Sequence, residues 1–94
     1  MNIMHMVDLK VTETQQLSIP KQHKLRHVGT RGGTITLWFE TDTECEQRVD
    51  RTIQIVGTKQ RPINPEWEYI GTVNDERYYH TWHVYIEPLK GETI

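Results

Sequence analysis

Residues 24–41 read KLRHVGTRGGTITLWFET and decide the fold class of this chain. After Arg31-Gly32-Gly33, apolar residues recur at every second position, a period that is typical of a β-strand with one buried face. Glycine readily adopts the positive φ values that tight hairpin turns require. The stretch therefore predicts two antiparallel strands, at residues 24–30 and 34–41, joined by a three-residue loop.

The register of this hairpin follows from the requirement that one face be apolar, because a slip of one residue exchanges the two faces. We place Thr30 opposite Thr34. The predicted inner pairs are Gly29 with Ile35, His27 with Leu37 and Leu25 with Phe39, and the predicted outer pairs are Val28 with Thr36, Arg26 with Trp38 and Lys24 with Glu40. The outer face then pairs a cation with an aromatic ring and a lysine with a glutamate, and both kinds of pair stabilise sheets.

The rest of the chain shows the same period of two. Further strands are predicted at residues 3–11, 15–19, 49–58, 66–73 and 78–87. The last two form a second hairpin around a turn at residues 74–77, with Val73 opposite Tyr78. The chain has no alanine and 12 threonines, a composition that disfavours helices and suits a pleated sheet. We therefore predict an all-β protein, a small sandwich or partly open barrel of about six or seven antiparallel strands.

A chain of 94 residues suits one domain, and we expect a single β domain over residues 1–94. Its core spans about residues 15–87, with the N-terminal strand at 3–11 and a frayed C-terminal tail at 88–94. A Val-Gly-Thr or Ile-Gly-Thr step recurs three times, with its glycine at Gly29, Gly57 and Gly71. All three glycines fall on the predicted inner faces, where we expect the rings of Trp67, Tyr69 and Trp82 to fill the space.

Charge and cysteine content exclude several classes of function. Eleven Lys and Arg against 13 Asp and Glu give a net charge of −2, whereas proteins that bind long nucleic acid need uncompensated cations. One cysteine, Cys45, cannot form a disulfide framework or a Cys-rich zinc site. Its acidic surroundings at residues 42–50 disfavour the thiolate that catalysis requires. No signal peptide and no apolar run of about 20 residues is present, so we expect no membrane partner.

Histidines offer the main route to an enzyme. His80 and His83 are three residues apart, so on a strand they point to opposite faces and cannot hold the same ion. A metal-assisted hydrolase would need His27 and His80 to meet on the inner face, with His5 as a third ligand. No nucleophile–base pair or phosphate loop accompanies them. We therefore expect a non-catalytic protein with no metal or cofactor, and the metal-assisted hydrolase is the alternative.

The candidate site is an outward surface on which cations and aromatic rings alternate. Residues 21–31 carry four Lys or Arg and two His with no acidic residue among them. The residues expected to contact a ligand or partner are Arg26, Arg31, Trp38, Tyr79, His83 and Tyr85. Rings interleaved with cations suit a small anionic, nucleotide-like ligand or a protein partner. A solvated sheet face with one exposed tryptophan explains the same residues equally well.

Several short segments within residues 15–87 resemble a family of small, uncharacterised proteins of tailed bacteriophages. They are LSIP at 17–20, LRHV at 25–28, ITLW at 35–38, IQIVGT at 53–58, YIGTV at 69–73 and WHVY at 82–85. The resemblance implies a phage accessory protein in the cytoplasm of a bacterial host, and it implies no catalytic residues. By analogy of context, it suggests a binding module that neutralises a host factor, as an anti-defence or host-takeover inhibitor.

Such a module could cover a host protein or sequester a small nucleotide-like signal. A structural virion or assembly component, held by strand addition, is a second alternative to the binding module. A homo-oligomer is also compatible with the sequence, since two copies could use the aromatic face or an exposed edge strand on each other.

Overall fold

The computed structural model describes residues 1–75 and 80–89, which form seven antiparallel strands. The strands are β1 (Asn2–Leu9), β2 (Thr14–Pro20), β3 (His23–Arg31), β4 (Thr34–Asp42), β5 (Arg48–Gly57), β6 (Glu68–Asp75) and β7 (His80–Ile86). Sheet A has the order β1-β4-β3, and sheet B has the order β2-β5-β7-β6. The predicted all-β fold is confirmed, and every predicted strand matches an observed one to within two residues at each end.

The two sheets share one core, to which the inward-facing residues of both contribute. Leu37 of β4, Ile53 of β5 and Val84 of β7 are at most 1% exposed. At Gly71 of β6, a Cβ atom would collide with Val28 of β3, the neighbouring edge strand of the other sheet. The space at Gly71 is therefore filled by an aliphatic side chain from the other sheet, which corrects the prediction that an aromatic ring lies there.

The first hairpin has a shorter turn than predicted. Arg31 pairs with Thr34, so only Gly32 and Gly33 lie between the strands. Both glycines have positive φ, at 59° and 85°, as a type I′ turn requires. The prediction of a three-residue loop with Thr30 opposite Thr34 was wrong. A two-residue turn of this type matches the right-handed twist of the two strands better.

A β-bulge in β3 explains why the predicted register is only partly right. The register shifts between Leu25 and His27, so Arg26 is an extra residue with no partner position on β4. The observed pairs include Lys24–Glu40, Leu25–Phe39, His27–Trp38, Val28–Leu37 and Gly29–Thr36. The first two confirm the prediction. The extra residue reverses the alternation of faces beyond it. His27 and Gly29 therefore lie on the outer face, and the prediction that they lie on the inner face was wrong.

The second hairpin also forms, but its register differs from the predicted one by four residues. Val73 lies opposite Trp82, not Tyr78. A shift by an even number leaves the faces of β7 unchanged, so Trp82 and His80 lie on the inner side and His83 on the outer side, as predicted. The predicted turn at 74–77 lies partly outside the described residues.

A bulge at Ile70 in β6 moves Tyr69 to the outer face. Tyr69 is opposite Tyr85 there, with the ring centroids 5.5 Å apart in an edge-to-face contact. The prediction that Tyr69 points inward was therefore wrong, for the same physical reason as in β3. Of the predicted ring–glycine contacts on the inner face, the one between Trp82 and Gly57 is observed.

Candidate functional site

The predicted contact residues lie on two outer faces. Arg26, Arg31 and Trp38 belong to sheet A, whereas His83 and Tyr85 belong to the outer face of sheet B. Tyr79 lies outside the described residues. The two groups approach each other where the edge strands β3 and β6 are neighbours, because Arg26 and His27 line one concavity together with Glu68 and Tyr69. The predicted contact residues therefore belong to two sheet faces that adjoin along β3 and β6.

Trp38 lies at the centre of the outer face of sheet A. It is on the middle strand β4, directly between Met6 of β1 and His27 of β3. The His27 ring contacts the indole with the ring centroids 5.5 Å apart and the ring planes tilted by 39°. Met6 and Met4, on the same face of β1, are 48% and 54% exposed. We call Met4, Met6, His27 and Trp38 the Met–Trp patch.

Thr36 and Gly29 lie beside the Met–Trp patch on the outer face of sheet A. Thr36 is fully buried although it faces outward, and its hydroxyl donates a hydrogen bond to Asp8 Oδ1 at 2.9 Å. Gly29 lies opposite Thr36, and a Cβ atom there would lie 3.5 Å from the Trp38 ring and would overlap the His27 ring. A glycine at this position leaves room for the two rings of the patch.

Two ion pairs flank the Met–Trp patch. The Arg26 guanidinium donates from Nε and Nη2 to Glu40 Oε1, at 3.1 and 2.9 Å. Arg31 donates from Nη2 to Asp8 Oδ2 at 3.4 Å. Hydrogen bonds from the Asn2 amide and from Arg26 hold the pKa of the Glu40 carboxyl below its usual value. The two arginines predicted to contact a ligand are therefore already engaged by carboxylates.

His83 is at the centre of a chain of hydroxyl groups on the outer face of sheet B. Its Nε2 lies 2.9 Å from the Thr58 hydroxyl and its Nδ1 lies 3.1 Å from the Thr72 hydroxyl, which also contacts the Tyr69 hydroxyl. A neutral imidazole donates at one nitrogen and accepts at the other, so this chain satisfies both. Among the described residues, no carboxylate hydrogen-bonds to His83 in the way that one orients the base of a catalytic triad. The hydrogen bonds of His83 connect β6 and β7 to Thr58, the residue that follows β5.

The segment at residues 58–67 crosses the outer face of sheet B. Gln54 is fully buried beneath it, donating to the Asn64 carbonyl at 3.3 Å and accepting from the Asn64 N–H at 3.0 Å. On the outer face of sheet A, the exposed Met4 and Met6 show that no segment of the described chain provides such a cover. The centre of the outer face of sheet A is therefore open to a partner.

The histidines of the alternative metal site do not come together. His5 stacks on Phe39 from the inner side of β1, His27 lies on the outer face of β3, and His80 contacts the edge of Trp82. Within residues 1–75 and 80–89, no three His, Cys, Asp or Glu side chains are arranged to hold a metal ion. The arrangement predicted for a metal-assisted hydrolase is therefore not observed in these residues.

No helix in the described part of the chain is long and apolar enough to span a membrane.

Met4 and Met6 are residues of the candidate site that the sequence pattern did not predict. The alternation in residues 3–11 places both on the face opposite Ile3, Val7 and Leu9. That signal assigns them to an outer face, but only the pairing of β1 with β4 brings Met6 beside Trp38.

Comparisons with known proteins give a family and no further relative. No curated protein and no solved structure matches the chain. A family model described as "Domain of unknown function (DUF7352)" matches residues 1–93. Since this match covers almost every residue of the sequence, the chain belongs to the DUF7352 domain family.

Proposed function

We propose that this protein is a non-catalytic binding module that contacts a protein partner through the outer face of sheet A. The observation that carries the proposal is the Met–Trp patch, which lies in the middle of an uncovered sheet face. Tryptophan, methionine and arginine are enriched where proteins bind one another, and a central aromatic anchor commonly supplies most of the binding energy. Methionine also adapts its shape to different partners.

The charges of this face favour a protein over an anionic ligand. Lys24, Arg26 and Arg31 are accompanied on the same face by three carboxylates, those of Asp8, Glu40 and Asp42. A phosphate would have to displace Glu40 from Arg26 or Asp8 from Arg31 before it gained either guanidinium. A rim of ion pairs around an apolar centre is the common anatomy of a protein interface. A small nucleotide-like ligand stacked on Trp38 is the second candidate, supported by the His27–Trp38 ring pair.

The segments that resemble tailed-bacteriophage proteins support a more specific proposal. The partner would be a host factor that this module neutralises in the cytoplasm of a bacterial host. The protein content of purified virus particles distinguishes this proposal from a structural role in the virion. A structural component is present in such particles in stoichiometric amounts.

The test compares one tryptophan variant, which alters the outer face of sheet A, with one tyrosine variant, which alters the outer face of sheet B. Trp38→Ala removes the centre of the Met–Trp patch, and Tyr85→Ala alters the outer face of sheet B. A partner co-purified from bacterial lysate should bind Trp38→Ala more weakly by about 2 kcal/mol or more, the usual size of a hot-spot effect. Tyr85→Ala should bind normally, and circular dichroism checks that both variants are folded. Equal binding by wild-type protein and Trp38→Ala would overturn the proposal.

A further inference from the structure

β1 differs from the other edge strands of the two sheets. β3 and β6 are interrupted by the bulges at Arg26 and Ile70, and they lie side by side. β2 ends at Pro20, and Gln15 on it binds both the N–H and the C=O of Lys10 in the preceding loop. Bulges, proline and covering loops are the features by which edge strands avoid pairing. β1 has none of them over Asn2–Leu9, although Ile3, Met4 and Met6 are exposed on it.

The backbone groups at the open edge of β1 can be identified. The N–H of Thr43 donates to the carbonyl of Met1 at 2.9 Å, one step beyond the pair of Asn2 with Asp42. In an antiparallel pair, hydrogen-bonded and non-hydrogen-bonded positions alternate. The odd-numbered residues of β1 therefore bond to β4. The even-numbered residues Asn2, Met4, Met6 and Asp8 direct their N–H and C=O groups to the open edge.

We propose that β1 pairs with β1 of a second copy of this chain, antiparallel about a twofold axis that passes beside His5. The pairs across the axis are Asn2 with Asp8, Ile3 with Val7, Met4 with Met6, and His5 with His5 of the second copy. The two copies of sheet A then form one continuous six-stranded sheet. The hydrogen-bonded pairs are those of the even-numbered residues, whose backbone groups are directed to this edge.

The chemistry of β1 favours this register over its neighbours. A slip of one residue would place outward methionines opposite inward residues, which a continuous pleat does not permit. A slip of two residues that pairs Met6 with Met6 would place the Asp8 carboxylate opposite Met4. In the proposed register the carboxylate meets the Asn2 amide, which has a second N–H besides the one that it donates to Glu40. Met4 and Met6 of both copies then form one apolar cluster at the centre of the shared outer face.

Pairing joins the two Met–Trp patches into one surface. The row His27–Trp38–Met6 of one copy continues into Met4 of the other, because Met6 and Met4 are opposite each other. Two strands bury less area than a standard interface of about 1,600 Å², so we expect a micromolar dimer that dissociates on dilution. The pairing does not rest on the proposed function, since the oligomeric state alone tests it.

Met6→Pro and Met6→Thr form a matched pair of variants for sedimentation equilibrium. Proline removes an N–H that is directed to the open edge and leaves the bonds between β1 and β4 intact, as is common for prolines in edge strands. Met6→Thr changes the side chain and keeps the N–H. We expect wild-type protein and Met6→Thr to dimerise, and Met6→Pro to dissociate about tenfold more readily or to be monomeric. Wild-type protein that is monomeric at every concentration overturns the proposal.

A cross-linking experiment keeps the proposal testable if Met6→Pro does not fold. In a Cys45→Ser background, His5→Cys places two thiols on the axis at a non-hydrogen-bonded pair, where Cα atoms are about 4.5 Å apart and within disulfide range. Met6→Cys is the control, because its two copies lie out of register by two residues, beyond about 7 Å. Under mild oxidation, His5→Cys should form disulfide-linked dimers faster than Met6→Cys. Equal rates for the two variants overturn the register and the proposal.

Discussion

Val28 of β3 packs directly against Gly71 of β6, so the backbone of one sheet touches a side chain of the other. A methyl group at position 71 would overlap Val28 Cγ1. The glycine is therefore a requirement of the sheet-to-sheet contact, not of backbone conformation, because Gly71 does not have a positive φ.

Gly71→Ala should destabilise the protein by about 1–3 kcal/mol, the usual cost of overpacking a core. Gly29→Ala is the matched control, because the atom that a Cβ there would overlap belongs to the exposed ring of His27, which can move. Urea unfolding of both variants checks the difference. Adding Val28→Ala to Gly71→Ala should recover part of the loss, and fully additive effects of the two substitutions would contradict the contact.

Gly32→Ala should destabilise the first hairpin through the backbone alone. Gly32 has a φ of 59° and a Cβ atom there would meet nothing within 4 Å, so no steric contact with other residues complicates the result. The left-handed conformation costs about 1–2 kcal/mol for alanine. Gly32→Asn should cost clearly less, since asparagine tolerates this region. Equal unfolding free energies for the two variants would argue against the two-residue turn.

The titration of Glu40 should depend on Asn2 and Arg26. Because the pKa of Glu40 in the folded chain is below its ordinary value of 4.5, its ionised form stabilises the fold above that pH, and this contribution is lost as the pH falls through the folded-state pKa. Asn2→Ala removes the hydrogen bond that lowers this pKa most. NMR titration should show the Glu40 pKa rising towards 4.5 in Asn2→Ala and unchanged in Asn74→Ala. An unchanged value in both variants would contradict the Asn2–Glu40 bond.

Gln54→Ala should release the segment at residues 58–67 from sheet B. The substitution leaves the N–H and C=O groups of Asn64 without their Gln54 partner, at a cost of about 2 kcal/mol. Hydrogen exchange at the Asn64 amide should become faster, while Gln16→Ala, an exposed glutamine on β2, should leave it unchanged. Unaltered exchange in Gln54→Ala would show that other contacts hold the segment.

The sequence alone was sufficient for the fold class and for the bounds of the strands. The alternation after Gly32-Gly33 is local information, because successive side chains of a strand point to opposite faces wherever the strand pairs. The same alternation assigned Trp38 and His83 to outer faces, as observed.

Only the tertiary structure decided which residues share a surface. The bulges at Arg26 and Ile70 each reverse the faces of the residues beyond them, and so His27 and Tyr69 lie outward. A bulge is set by the partner strand and by the sheet packed against it, so the strand's own residues do not reveal it. The pairing of β1 with β4, which brings Met6 beside Trp38, joins segments about 30 residues apart in the chain. Such a contact depends on the packing of the whole core, which no local pattern of residues encodes.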